Sequence, residues 1–197
     1  MQKILIATTN PGKQTEILSL FKDQPFQLVF PRELGITTEV EETGLTYAEN
    51  AILKAETLCR LSGMVTLADD TGLEVDALDG RPGLHSARYV PISGATDADR
   101  RARLLQELAG KPAPWTARFV CVVALAAPGK PSQCFEGEIK GEMTKQESGE
   151  HGFGYDRIFW IPTVQRTLAD LDMTEKNRVS HRALAVRQAI NYLNNDD

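Results

Sequence analysis

The sequence predicts an α/β fold built on a mixed sheet. Short apolar runs of strand length interleave with stretches whose apolar residues recur at helical spacing. Gly, Pro, Asn and Asp mark the junctions between them. No internal repeat, low-complexity tract or linker breaks the 197 residues, so residues 1–197 are expected to form a single domain, long enough for one substantial core or two small lobes.

The first element is the apolar run Ile4-Leu5-Ile6-Ala7, which reads as a strand. Thr8-Thr9-Asn10-Pro11-Gly12-Lys13 breaks it, and Glu16 to Phe21 reads as a helix with Asn10 as cap and Pro11 near its first position. Such a turn aims backbone N–H groups, hydroxyls and one ammonium at the mouth of a helix dipole, which suits an anionic oxygen cluster such as a phosphate. It is not the familiar nucleotide loop, which needs Gly and Ser or Thr where this chain has Ala7 and Gln14. On this segment alone, a capped helix start is an equally good reading.

Phe26 to Phe30 alternates as a second strand, ended by Pro31, and Glu39 to Leu45 is acidic and turn-like. Thr46 and Glu49 form a capping box for a helix that places Ala48, Ala51, Ile52, Ala55, Leu58 and Leu61 on one buried face. Met64 to Ala68 reads as a short strand leading into the turn Asp69-Asp70-Thr71-Gly72, with Leu73 to Ala77 as another strand. Asp97 caps a helix through Leu108, closed by Gly110. Residues 115 to 127 form the longest strand candidate, and Pro128-Gly129 turns it into a partner across 133 to 143. Gly149 to Asp156 is loop, and Arg157 to Ile161 is a strand stopped by Pro162. The last helix begins near Ser180 and carries Leu184, Val186, Ile190 and Leu193 on one side, with a polar tail at Asn194 to Asp197.

Composition excludes several classes of function. Hydrophobic content of 42% and charged content of 25% are those of an ordinary globular protein, not a disordered one. A net charge of −5 argues against general affinity for polymeric nucleic acid. No apolar window is long enough to span a bilayer and no basic leader precedes an apolar core, so no membrane partner and a cytoplasmic location are expected. Cys59, Cys121 and Cys134 are widely spaced and read as small core residues rather than a disulfide or zinc framework. His85 and His151 lack metal-ligand spacing.

Chemistry concentrates in a few places. Adjacent carboxylates at the end of a buried strand, Asp69 and Asp70, are costly unless positive charge accompanies them. Mg²⁺ would supply it, with Glu42 offering a second carboxylate if the fold brings the two acidic turns together. An ordinary turn capped by Asp69 or Asp70 is the simpler local reading. Lys54 borders the buried helix face, as a snorkelling side chain or as a charge directed into a cleft. In Gly152-Phe153-Gly154-Tyr155-Asp156 the glycines let backbone approach a flat group on which Phe153 could stack, or the aromatic rings tuck the loop onto the core. Lys176, His181 and Arg182 add donors near the start of the last helix.

Together these segments resemble the inosine triphosphate pyrophosphatase family, from Met1 to about Leu193. The residues that carry the resemblance are Thr8 to Lys13, Glu41-Glu42-Thr43-Gly44 with Glu49-Asn50-Ala51, Lys54-Ala55, and Ala68-Asp69-Asp70-Thr71-Gly72-Leu73. They continue with Pro82-Gly83, Ser86-Ala87-Arg88-Tyr89, Gly152-Phe153-Gly154-Tyr155-Asp156, Lys176 and Ser180-His181-Arg182. Each motif is weak alone, and their joint occurrence in the family's order is specific. Thr71 replaces a more common Ser, His151 a frequent Gly and Arg157 a common Pro.

The resemblance implies an elongated central mixed sheet with flanking helices and two lobes around a nucleotide cleft, usually in a homodimer, and a reaction in which a purine nucleoside triphosphate and water give the monophosphate and pyrophosphate. It implies hypoxanthine and xanthine as preferred bases, so that ITP, dITP and XTP are the expected small-molecule partners. Carried over by position, Thr8, Thr9, Asn10, Pro11, Gly12 and Lys13 cradle the phosphates with Thr71 nearby, and Asp70 orients or deprotonates water. Glu42 and Asp70 hold Mg²⁺, Asp69 supports them, and Lys54 counters charge on the leaving group. Phe153, Gly154, Tyr155 and Asp156 form the purine slot, Lys176 contacts the ligand, and His181 and Arg182 read the purine's carbonyl edge. A purine nucleotide sensor without catalysis, or a pyrophosphatase acting on modified pyrimidine nucleotides, are the alternative readings.

Overall fold

The computed structural model describes residues 1–195 of the chain, so the end of the polar tail expected at Asn194 to Asp197 lies outside the described residues. Its strands are β1 (Gln2–Ile6), β2 (Phe26–Val29), β3 (Val65–Val75), β4 (Pro82–Gly83), β5 (Trp115–Ala126), β6 (Gln133–Met143), β7 (Phe159–Ile161) and β8 (Arg166–Thr167). Its helices are α1 (Pro11–Phe21), α2 (Tyr47–Ser62), α3 (Asp97–Leu108), α4 (Met173–Val179) and α5 (His181–Asn195). The strands form one mixed sheet in the order β2-β1-β3-β5-β6-β7-β8, with β4 paired antiparallel to β3. β1 pairs parallel with both β2 and β3, whereas β7 pairs antiparallel with β6 and β8. Among the described residues no helix is long and apolar enough to cross a membrane.

The chain divides into two compact units. One comprises Met1–Asp70, Cys121–Gly137 and His181–Asp197, and the other Thr71–Val120 and Glu138–Ser180. In the first unit both faces of the sheet are covered, and strand parity assigns each residue to one of them. Ile4, Ile6, Leu67, Cys121, Val123 and Leu125 pack with Ile17 and Phe21 of α1 and Val186 and Ile190 of α5. Leu5, Ala7, Ala68, Val122, Ala124 and Ala126 pack with Ala51, Ala55 and Leu58 of α2. α5 approaches β6 closely because Gly137 has no side chain: a Cβ there would come within 2.1 Å of the His181 carbonyl oxygen.

The second unit covers one face. Leu73, Val75, Trp115, Ala117, Phe119 and Ile139 pack with Leu104 and Leu108 of α3 and with Phe159 and Ile161 of β7. The intervening residues carry an ionic ladder in which Arg118 donates to Glu74 at 2.8 Å and to Glu138 at 3.0 Å.

Several boundaries differ from the sequence reading. β3 runs unbroken through Asp69-Asp70-Thr71-Gly72, where a turn between two strands was expected. α3 is capped by Thr96, whose hydroxyl accepts from the Asp99 N–H while Asp99 reaches back, so Asp97 is the first helical residue and not the cap. The helix ends through Ala109 ahead of Gly110. At α2, Thr46 accepts from the Glu49 N–H as expected, but Glu49 accepts from Leu45 N instead of closing the box on Thr46. Leu61 and Leu184 are exposed, because the buried stripes run through Ala51, Ala55, Leu58 and Cys59 in α2 and through Ala183, Ala185, Val186 and Ala189 in α5. Cys59 and Cys121 are buried as expected, whereas Cys134 is exposed near the start of β6.

Candidate active site

The first unit gathers its charge at the carboxyl end of the parallel strands, the usual location of ligand sites in open α/β sheets. The β1–β3 pairing ends at Ile6↔Leu67, and β3 continues past it into Asp69 and Asp70. After β1, Asn10 caps α1 by accepting from the Lys13 N–H at 3.1 Å, with Pro11 at the first helical position. Thr8 Oγ1 accepts from the Asn10 N–H at 3.2 Å, and Gln14 Nε2 donates to the Thr8 carbonyl at 2.9 Å. Thr9, Asn10 and Pro11 face solvent and Gly12 is half-buried. The turn is therefore both a capped helix start and an exposed, ordered cluster of hydroxyl, amide and N–H groups.

Because neighbours on a strand point to opposite faces, the two acids have separate partners. Asp69, 2% exposed, lies on the α1–α5 side. Its Oδ2 is 2.9 Å from Lys13 Nζ and 3.2 Å from Arg182 Nε, and Arg182 Nη1 also pairs with Glu16 of α1. Burial alone would raise the Asp69 pKa, but Lys13, Arg182 and Lys54 outweigh it and hold the carboxyl far below its ordinary range. Arg182 sits at the start of α5, 2% exposed; burial works to lower its pKa, but Glu16 and Asp69 hold it well above the ordinary guanidinium value.

Asp70 lies on the α2 side. Its Oδ2 accepts from Asn50 Nδ2 at 3.2 Å, and its Oδ1 is 3.5 Å from Lys54 Nζ. Lys54 also donates to Glu42 Oε1 at 2.7 Å and to the Asp69 carbonyl at 2.7 Å. The Lys54 side chain is thus directed inward, not snorkelling. Burial pushes its pKa down, but Asp70, Asp69 and Glu42 more than reverse that and the shift is upward. For Asp70 burial dominates: the pKa is raised, Glu42 adds to the rise, and Lys54 and Lys13 oppose it. Two adjacent carboxylates are thereby pushed apart, Asp69 fixed as an anion and Asp70 inclined to take a proton, the pattern that separates charge carriers from bases.

Glu42 and Asp70, from separate segments, meet on one ammonium. Two carboxylates against one lysine leave one net negative charge. The donors are hard oxygens, and Mg²⁺ takes one or two carboxylates, filling its other positions with water and substrate oxygens. The residues present fit that ion.

The second unit holds the remaining expected residues. Gly152 and Gly154 both have positive φ, at 73° and 62°. A Cβ on Gly152 would lie 2.1 Å from Asp156 Oδ2, so close backbone approach is required there. Asp156 Oδ2 accepts from the Phe153 N–H at 2.9 Å and from Lys176 Nζ at 2.5 Å. Lys176, buried in α4, also lies 5.3 Å from the Phe153 ring centre, within cation–π range. Tyr155 is buried and donates its hydroxyl to the Ser86 carbonyl at 2.9 Å. Thr71 is half-buried in β3.

In the first unit the structure therefore brings together Lys13, Glu42, Lys54, Asp69, Asp70 and Arg182, and in the second Phe153, Gly154, Tyr155, Asp156 and Lys176. His181 and Arg182 are buried, not a surface charge pair, while Arg88 is exposed. The sequence reading gave no role to Asn50 or Glu16. The helical spacing of Asn50 and Lys54, one turn apart on α2, is the signal that would have joined Asn50 to the site.

The model of the Ham1 family matches residues 4–192. A dITP/XTP pyrophosphatase of Mannheimia succiniciproducens is 47% identical over 189 residues, covering 94% of each chain. One from Desulforamulus reducens is 44% identical over 193 residues, 98% of this chain and 96% of its own. Among solved structures, a HAM1 protein from Coxiella burnetii superposes with a TM-score of 0.88 at 38% identity, over 98% of this chain and 99% of that one. The Staphylococcus aureus Ham1 protein gives 0.87 at 37% identity over all of both chains. With nearly its whole length matched in sequence and in fold, the chain belongs to the Ham1 family.

Proposed function

We propose that this chain hydrolyses the non-standard purine nucleoside triphosphates ITP, dITP and XTP to the monophosphate and pyrophosphate. The observation that carries this reading is the setting of Asp70: a buried carboxylate of raised pKa, held by Asn50 and placed beside the Lys54 ammonium and Glu42. The activity for which the Mannheimia and Desulforamulus relatives are named is the same chemistry.

In this reading Asp70 orients the attacking water and takes its proton. Lys54 and Lys13 set fixed positive charge against the polyphosphate, which lowers the barrier because phosphoryl transfer is driven by positioning and electrostatics. The turn Thr8 to Gly12 and Thr71 are assigned to the phosphates, and Asp69 keeps Lys13 aimed. Mg²⁺ held by Glu42 and Asp70 supplies further positive charge when bound. The loop Phe153 to Asp156 with Lys176 is assigned to the base, with His181 and Arg182 as donors to the six-position carbonyl. Against adenine such a buried donor faces an amino group and is left unpaired, at a cost of about 1–3 kcal/mol. Homodimer assembly, which rests on the family resemblance, and a cytoplasmic setting belong to the same proposal.

The test is pyrophosphate release from ITP, dITP, XTP, ATP and GTP, with Mg²⁺ and with a chelator. Turnover of the inosine and xanthosine nucleotides in Mg²⁺, its loss on chelation, and slow turnover of ATP and GTP are expected. Equal rates on all five would defeat the proposed selectivity, and unchanged rates in chelator would defeat the metal assignment.

A further inference from the structure

We propose that Asp97 and Arg101 of α3 are positioning residues for the Phe153–Asp156 loop and set how tightly the base is held, an inference that rests on the assignment of that loop to the base. The two side chains grip one residue, Gly154, through both of its backbone polar groups. The Gly154 N–H donates to Asp97 Oδ2 at 2.7 Å, and the Gly154 carbonyl accepts from Arg101 Nη1 at 2.8 Å. Asp97 and Arg101 lie one turn apart on α3, so both face the loop.

Neither contact is incidental to another job. The cap of α3 is supplied by Thr96 and Asp99, so the helix start does not depend on the Asp97 carboxylate. Arg101 is buried, and its Nε and Nη2 donate to the two oxygens of Glu147 at 2.7 and 3.1 Å. That paired geometry fixes the plane of the guanidinium and aims the remaining edge at Gly154. Asp97 is steadied by Arg100 Nη1 at 2.6 Å.

The loop needs such a clamp. Gly152 and Gly154 give its backbone more freedom than other residues would, and a cavity of about 290 Å³ runs beside it, lined by Asp97, Arg101, His151, Gly152, Phe153 and Arg157. Beside that space two directed, charge-assisted hydrogen bonds hold Gly154, next to Phe153, whose N–H is held by Asp156. His151 and Arg157 line the same cavity.

Asp97→Ala and Asp97→Asn test this in the full chain, the second keeping an oxygen acceptor for Gly154. Two quantities are read: kcat and KM for ITP in Mg²⁺, and deuterium uptake of a peptide covering residues 149–158 without nucleotide. Loss of a hydrogen bond to a charged group predicts a KM for ITP raised about tenfold in Asp97→Ala, with kcat within about twofold of wild type. Uptake at 149–158 should quicken while uptake in α3 is unchanged, and Asp97→Asn should restore most of both effects. Unchanged uptake at 149–158, a fall in kcat without a rise in KM, or equal damage from both variants overturns the clamp. Wild-type protein inactive on ITP overturns the proposed function instead, because the uptake measurement needs no substrate and still decides whether Asp97 holds the loop.

Discussion

At Asp70 the folded chain keeps a carboxylate where its charge is disfavoured, since burial and the facing Glu42 both raise its pKa while Lys54 and Lys13 lower it. Relieving that tension exchanges function for stability. Asp70→Asn should reduce turnover of ITP by roughly 10²–10⁴-fold, the usual worth of a general base. The same variant should melt higher than wild type at pH 7 in chelator, by about 2–4 °C for each kcal/mol gained. The pH dependence has a definite sign: a carboxyl whose folded pKa exceeds its unfolded value of 3.8 contributes stability below 3.8 and loses it as pH rises through the folded pKa. The advantage of Asn should therefore be full at neutral pH and vanish in acid, where Asp70 is itself neutral; thermal melts of both proteins across that range check it. The types and spacing of Asp69, Asp70, Glu42 and Lys54 were legible in the sequence. Their allocation was not, because the partners of Asp69 come from Lys13 and Arg182, and no local pattern says which acid faces which helix.

Single strands pass from one environment to another, and β5 shows it most clearly. From Trp115 to Phe119 buried and exposed residues alternate, and from Phe119 to Ala126 every residue is buried. The sequence carries the same switch, with Thr116 and Arg118 between apolar neighbours giving way to a continuous apolar run, as expected where one covered face becomes two. Phe119, packed against Phe159 with ring centres 4.7 Å apart, and Arg118 beside it should then differ sharply. Phe119→Ala is expected to cost about 3–5 kcal/mol. Arg118→Ala should cost no more than about 1 kcal/mol, falling further in high salt, because its pairs with Glu74 and Glu138 are solvent-exposed. Denaturant unfolding of the two variants at two salt concentrations measures both. β3 was less legible: Asp, Thr and Gly favour turns in isolation, and the strand survives through them because counter-charges arrive from residues distant in sequence. The buried face of α5 was missed at Leu184 for a related reason. Its contact with β6 at Gly137 is made by the His181 carbonyl, the Ala185 backbone nitrogen and the Leu184 Cβ, so the closeness depends on a missing side chain in the strand, which no pattern within the helix announces.

For the molecule as a whole, the class of fold and most elements could be read from periodicity, but the strand order β2-β1-β3-β5-β6-β7-β8 could not, since pairing partners depend on distant chain. The two compact units are each assembled from separate stretches, and the first needs its last stretch, His181 onward. A chain ending at Ser180 lacks α5, and with it Val186, Ala189 and Ile190 of the core and the guanidinium that neutralises Glu16 and Asp69. Leaving buried carboxylates without that partner costs about 3–5 kcal/mol before any loss of packing is counted. Such a chain should fail to give a cooperative melt and should release no pyrophosphate from ITP, which calorimetry and the same assay check. During synthesis the ribosome delivers Asp69 long before Arg182, 113 positions later. The nascent polypeptide carries Glu16 and Asp69 without that guanidinium until Arg182 emerges, so the buried charge of the first unit is balanced only once α5 has docked.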